Sequence, residues 1–179
     1  MKKTVTVNFF GGPGTGKSTT AAGLFTLLKK KGKHCEYISE FAKELVWEEH
    51  NVALDCQPLS DGEQVFRQHK LQDKVDVVVT DSPLIINLLH NGFGVTDNYK
   101  KWLIEVFNMF NNVNFLLIVD RESRPYETEG RTESKERALQ MDRENIELLT
   151  KHKIPFITMS VSENTEVEVL KYLESNNLI

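Results

Sequence analysis

The first stretch of alternating hydrophobicity, residues 4–10, is β-branched and aromatic and runs straight into Gly11-Gly12-Pro13-Gly14, the pattern of a strand ending in a glycine-rich turn. The period then changes. Ala21, Leu24, Leu27 and Leu28 recur at intervals of three and four, which predicts a helix over residues 17–31, stopped by Gly32 after a basic last turn. Residues 34–38 form a short strand, and Ser39 is placed to cap a helix over 39–50 with Phe41, Leu45 and Val46 on one face. Ser60-Asp61-Gly62-Glu63 has capping-box spacing and opens a polar helix over 60–74.

Three consecutive valines within residues 76–80 carry no alternation, which suits a strand covered on both faces in a parallel sheet. Ser82-Pro83 then supplies a cap and first turn for a helix ending near Asn91-Gly92, and residues 99–110 give a further amphipathic helix. The buried-strand signature returns at 115–119. Residues 121–131 are polar with Pro125 and Gly130, hence a loop; a charged helix follows over 132–151, a fifth strand over 154–159 and a closing helix over 166–173. Five strands alternating with helices predict one α/β domain over residues 1–179 with a mainly parallel sheet.

Composition narrows the function classes. With 179 residues, 40% hydrophobic and 27% charged, the chain has the make-up of a globular domain with a core. Its net charge of −4 offers no global field for nucleic acid or anionic membrane. Two cysteines without CxxC spacing argue against a disulfide scaffold or zinc site and fit a reducing, cytoplasmic setting. The apolar runs fall short of the ~18 residues of a membrane span. The start at Met1-Lys2-Lys3 leads into a strand rather than a leader, and the five histidines show no metal-binding spacing.

The chemistry concentrates in Gly11-Gly12-Pro13-Gly14-Thr15-Gly16-Lys17-Ser18, an ungapped GxxxxGK[ST] between the first strand and first helix. Such a loop turns backbone N–H groups around phosphate oxygens, and the helix start adds its positive dipole end. Gly11, Gly12, Gly14, Thr15, Gly16, Lys17, Ser18 and Thr19 are therefore the expected ATP-binding residues, with Lys17 on the β- and γ-phosphates and Ser18 on Mg2+. Asp81, where the third strand ends, is a second Mg2+ candidate or orients the acceptor; the competing role is a helix-capping acid. Because Ser82 follows it, the Asp-Glu pair that activates water in many ATPases is absent, which weakens hydrolysis as the main activity.

Glu40, after the second strand, is a candidate base for an acceptor hydroxyl or simply a first-turn acid, with Lys43 close in sequence. Arg121, Arg124, Arg131, Lys135 and Arg137 follow the fourth strand, where guanidinium groups can close over a triphosphate or can lie in a solvated loop; Arg124 and Arg131 are favoured as catalytic. Trp47, Phe66 and Trp102 are expected to be packing residues.

Taken in order, five segments resemble the P-loop nucleoside and nucleotide kinases: residues 11–19, residues 39–45 (Ser39-Glu40-Phe41-Ala42-Lys43-Glu44-Leu45), residues 64–70, residues 78–82, and Asp120-Arg121 with Gly130-Arg131-Thr132 onward to Asp142. The likeness is strongest to the nicotinamide riboside kinase domain of the bacterial NAD-salvage protein NadR and to AAA-type ATPase-like proteins of phages. It implies a sheet of order 2-3-1-4-5 with helices on both faces, ATP at 11–19, an arginine-bearing lid near 121–131, an acceptor pocket near Glu40 and Asp81, and adenine near residues 160–164. In departure from NadR, the chain is expected to hold the kinase module alone, without an adenylyltransferase or DNA-binding domain.

The phosphate loop lacks the Glu-Ser-Ser type of the riboside kinases, and Ser82-Pro83 replaces the arginine that deoxynucleoside kinases place beside the third-strand acid. The acceptor is thus left open among nicotinamide riboside, (deoxy)nucleosides and nucleotides. Two other functions share the motif: a kinase acting on a modified base or end of nucleic acid, and an ATP-gated binding module with slow hydrolysis. No membrane partner is expected.

Overall fold

The computed structural model describes residues 3–121 and 134–179. Strands β1 (Val5–Phe10), β2 (Cys35–Ile38), β3 (Val77–Thr80), β4 (Asn111–Ile118) and β5 (Ile157–Ser160) form a five-stranded sheet of order β2-β3-β1-β4-β5. Every pairing is parallel, in register from Val5↔Val77 and Val5↔Asn111 outward. The order reverses direction at β1, so the C-terminal ends of β1 and β3 border the crevice where open parallel sheets take their ligands.

Alternation along β1 explains the layers. Val5, Val7 and Phe9 join Phe115 and Leu117 beneath α1 (Lys17–Lys30) and α7 (Thr165–Ser175), contributing Leu24, Leu28, Val169 and Leu173. Phe10 and Leu116 face the other way, into a second core with Leu103 and Phe107 of α5 (Asp97–Met109) and Leu148 and Leu149 of α6 (Lys135–Lys151). Both sheet faces are thus covered, as the unbroken valines of β3 require.

β4 begins four residues before the predicted start. Asparagine is a poor strand former, but here Asn8 Nδ2 donates to Asn112 Oδ1 (2.9 Å) and Asn114 Oδ1 (3.0 Å), and Asn114 Nδ2 donates to the Pro155 carbonyl. The amide donors are satisfied across the ladder, which offsets most of the cost of burying them and leaves Asn8 Oδ1 unpartnered.

Three predicted helix starts are corrected. The helix after β2 is α2 (Phe41–Trp47), entered at Glu40; Ser39 instead hydrogen-bonds the Glu44 carboxylate. Ser60 is no cap: α4 (Gln57–His69) starts three residues earlier with proline in its first turn, following the short α3 (Asn51–Asp55). That places Ser60 inside the helix, buried, while Glu63 pairs with Arg67 one turn on. After Asp81 the chain makes a 3₁₀ helix (Leu84–Leu89) rather than an α-helix, with Pro83 extended before it and no side-chain cap.

Trp47 (79% exposed) and Phe66 (57%) are not packing residues, and Val46 is exposed as well. Helical spacing predicts which residues share a face, and α2 and α4 present those faces outward. Trp102 is also exposed and rests against Tyr99.

A buried carboxylate ties this side together. Asp61 accepts from Gln57 Nε2 (3.0 Å), Asn87 Nδ2 and the Tyr99 hydroxyl, joining α4, the 3₁₀ helix and α5. Burial pushes its carboxyl above the usual range while the three donors pull it back. Asp61→Ala strands all three donors and is expected to cost about 2–4 kcal/mol, seen as a Tm lower by roughly 5–15 °C in thermal unfolding.

Candidate active site

The phosphate loop departs from β1 at Gly11, whose φ of 140° belongs to glycine. A Cβ there would stand 2.7 Å from Thr15 Oγ1 and 3.0 Å from the Leu117 carbonyl. Thr15 Oγ1 donates to the Gly12 carbonyl (2.9 Å), closing the loop on itself. Gly16, also at positive φ, leads into α1, so the N–H groups of Lys17, Ser18 and Thr19 lack intrahelical partners and open toward the crevice. Ser18 and Thr19 are exposed there.

The Lys17 side chain folds back over the loop and donates to the carbonyls of Gly11 (2.7 Å) and Gly12 (3.1 Å). Burial lowers its pKa, Glu40, Asp81 and Asp142 oppose that shift, and Arg121 adds to it. A triphosphate would offer this cation stronger acceptors than two carbonyls.

Asp81 and Glu40 follow the adjoining strands, close enough for both charges to act on Lys17. Tyr37 of β2 lies near Asp81, and burial together with that acid's charge pushes the phenol well above its ordinary value. Asp81 Oδ1 is buried without a hydrogen-bond partner. An orphaned carboxylate oxygen beside the loop fits a cation ligand or a hydroxyl acceptor, and the capping alternative loses its helix, since the 3₁₀ segment has no side-chain cap.

Glu40 occupies the cap position of α2 but makes no cap hydrogen bond. Part of its side chain reaches solvent while protein atoms surround the carboxyl. The protein mass around it, then the Asp81 charge, push its carboxyl above the usual range, while Lys17, His90 and Lys43 pull it down.

Of the arginine-rich stretch, Arg124 and Arg131 lie outside the described residues. Arg137 is spent on Glu144 (2.7 Å) along α6. Arg121 is almost fully buried and pairs with Asp142 of α6 and with the Pro13 carbonyl. As described, therefore, Arg121 is committed to the loop's own backbone and to Asp142. Sequence reasoning gave Asp142 no role, and no short-range spacing marks it: it lies 21 positions from Arg121 and 130 from Gly12.

The loop after β5 lies beside the phosphate loop, with Val161 Cγ1 3.8 Å from a Cβ built on Gly16 and the Val161 N–H on the Ile118 carbonyl. Among the described residues no group of three or more His, Cys, Asp or Glu could hold a metal ion.

Residues 6–166 match the sequence profile of the AAA domain, a P-loop NTPase family. The chain belongs to that family. This AAA domain protein also matches the solved deoxyadenosine kinase of M. mycoides, a structure with dCMP and a flexible dCDP bound as products. The match covers 95% of this chain and 99% of that one, with a TM-score of 0.58 and 16% identity, a likeness of fold. No curated protein sequence matches the chain. Family and fold thus agree with the resemblance seen in the motifs.

Proposed function

We propose that this AAA domain protein is an Mg-ATP-dependent kinase that transfers the γ-phosphoryl group to a hydroxyl of a nucleoside-like or nucleotide-like acceptor. The observation that carries the proposal is the meeting of Lys17, Asp81 and Glu40 at the C-terminal edge of β1, β2 and β3, with Asp81 Oδ1 buried and unpartnered. The kinase fold of the solved relative supports it.

In the proposed reaction the acceptor oxygen attacks the γ-phosphorus, the bond from that phosphorus to the β–γ bridging oxygen breaks, and ADP leaves with the bond's electron pair. The acceptor's proton passes to Glu40, or to Asp81. Lys17 and the loop N–H groups hold the phosphates, and Ser18 and Asp81 would hold the metal. Mg2+, when bound with the nucleotide, neutralises charge on the β- and γ-oxygens. Positioning and charge stabilisation supply the rate.

Arg124 and Arg131 keep in this proposal the part assigned from sequence, stabilising charge on the transferring group. Arg131→Ala is expected to lower kcat by roughly 10²-fold or more with a smaller change in ATP affinity. An unchanged kcat in steady-state assays removes it from the mechanism.

The proposed setting is cytoplasmic; among the described residues no helix is long and apolar enough to cross a membrane. The deciding experiment incubates the protein with Mg-ATP and a panel of nucleosides, nicotinamide riboside, nucleoside monophosphates and short oligonucleotides, read by mass spectrometry. One phosphoryl group gained by a single small acceptor establishes the reading. Phosphorylated oligonucleotide moves the acceptor onto a polymer, and ADP release without a phosphorylated product favours the ATP-gated module.

A further inference from the structure

The front half of the phosphate loop is held by side chains from far along the chain. Asp142 Oδ1 accepts from the Gly12 N–H at 2.7 Å. The same carboxylate receives both edges of the Arg121 guanidinium, Nε to Oδ2 at 2.5 Å and Nη2 to Oδ1 at 3.0 Å. The remaining guanidinium nitrogen, Nη1, donates to the Pro13 carbonyl at 2.9 Å. Arg121 thus uses its whole fork, a geometry lysine cannot reproduce.

Together with Lys17 on the Gly11 and Gly12 carbonyls, these bonds give a side-chain partner to Gly11 O, Gly12 N, Gly12 O and Pro13 O. Proline has no N–H to satisfy. The loop's turn is therefore fixed before any nucleotide arrives, and the N–H groups left for phosphate are those of Gly14, Gly16 and the start of α1. The fit is close: a Cβ on Gly12 would lie 2.6 Å from Asp142 Oδ1 and 2.7 Å from the Ala138 carbonyl. Gly12 is required here by the approach of α6.

An acid at a phosphate loop carries a penalty, since an unpaired carboxylate would repel the triphosphate that the loop is built to hold. The Asp142 charge reaches far enough to act on Lys17, as does that of Arg121. The bidentate pair resolves the conflict. We infer that Arg121 and Asp142 are positioning residues for the nucleotide phosphates, Asp142 by fixing the Gly12 amide and Arg121 by masking the Asp142 charge from the triphosphate. Neither touches the reacting atoms. The inference rests on the reading of residues 11–19 as the nucleotide site and is independent of which acceptor is used.

This division of labour predicts an unusual order among variants. Arg121→Ala leaves a bare carboxylate beside the phosphates and is expected to weaken Mg-ADP binding most, by roughly a hundredfold. Asp142→Ala loosens the loop without adding repulsion, for about a tenfold loss, and the Arg121→Ala/Asp142→Ala double variant binds better than Arg121→Ala alone. Asp142→Asn keeps an oxygen for the Gly12 N–H and falls between wild type and Asp142→Ala. Arg137→Gln, which breaks the 2.7 Å pair with Glu144 on the same helix, serves as the control with affinity unchanged.

Isothermal titration with Mg-ADP on the full chain measures all five, with hydrogen exchange at the Gly12 amide as a second readout that needs no nucleotide: slow in wild type, fast in Asp142→Ala. The milder Asp142→Asn and Arg121→Lys stand in if an alanine variant fails to fold, and both must then weaken binding. Lower Tm with unchanged affinity makes the pair merely structural and overturns the inference, as does a double variant that binds worse than Arg121→Ala. Wild type that fails to bind Mg-ADP overturns the nucleotide-site reading itself. Tight nucleotide binding with no acceptor phosphorylated defeats the proposed kinase activity while leaving the order of affinities to support the inference.

Discussion

Lys17→Ala is expected to lower phosphoryl transfer by roughly 10³-fold or more while leaving the fold intact. In the proposed reaction the ammonium is the cation that the loop brings to the β- and γ-phosphates, and its value rises as negative charge builds on the leaving oxygen. Its contribution to stability is small by comparison. It makes two hydrogen bonds, to the Gly11 and Gly12 carbonyls, and burial already lowers its pKa, so removing it also removes a desolvation cost. The two measurements separate cleanly: Tm should stay within a few degrees of wild type, about the shift that ~1 kcal/mol produces in a chain of this size, while the transfer rate collapses. Wild-type transfer by Lys17→Ala rules out the proposed mechanism, and loss of the folded state would mean that the lysine chiefly braces the loop.

The part of the molecule most legible in sequence is the unit from β1 to α1. A two-residue period, a run of glycines and a helical period follow one another without a break there, and the physics is local at each step. The sheet order 2-3-1-4-5 came through the family resemblance, since no property of residues 5–10 states that β1 lies between β3 and β4. Errors cluster where local preference yields to neighbours. Asn111, Asn112 and Asn114 resist a strand assignment until Asn8 is seen across the ladder. Ser60 and Glu63 have capping spacing, but the proline in the first turn of α4 opens the helix earlier. Trp47 looks like core to any scale of hydrophobicity, and only its place on an outward face shows otherwise.

The same distinction runs through the site. Lys17, Asp81 and Glu40 are legible because each follows directly on a strand or opens a helix, at the edge where parallel sheets bind ligands. Asp142 is illegible for the opposite reason: it sits mid-helix on α6, among charged residues of a kind that ordinarily face solvent, and acquires meaning only through Gly12 and Arg121. Tyr37 is hidden in a similar way, a strand aromatic whose ring packs with Phe25 while its phenol feels the Asp81 charge. Residues that hold functional groups in place need no spacing relative to them, so a motif reveals what touches phosphate far more readily than what steadies the motif.

The second large effect is expected at Asp81. Asp81→Asn preserves shape but removes the charge, and transfer should fall by roughly 10²–10⁴-fold. The way it falls assigns the role. As a metal ligand, Asp81 sets the Mg2+ concentration needed for activity; the variant then requires far more Mg2+, and ATP binding without the metal is equal or tighter because a carboxylate facing the triphosphate has gone. As the acceptor's base, Asp81 sets kcat at every Mg2+ concentration, and the metal requirement stays put. Glu40 gives an internal check. The Asp81 charge is the second cause, after burial, that holds the Glu40 carboxyl above its usual range. A base must be ionised to accept a proton, so activity rises with pH through the Glu40 pKa, and in wild type that rise is displaced upward from the ordinary glutamate range. In Asp81→Asn it should move down toward that range if Glu40 is the base, and Glu40→Gln should abolish it. An acid limb that ignores both substitutions would take the proton transfer away from these two carboxylates and leave them to bind the metal and orient the acceptor.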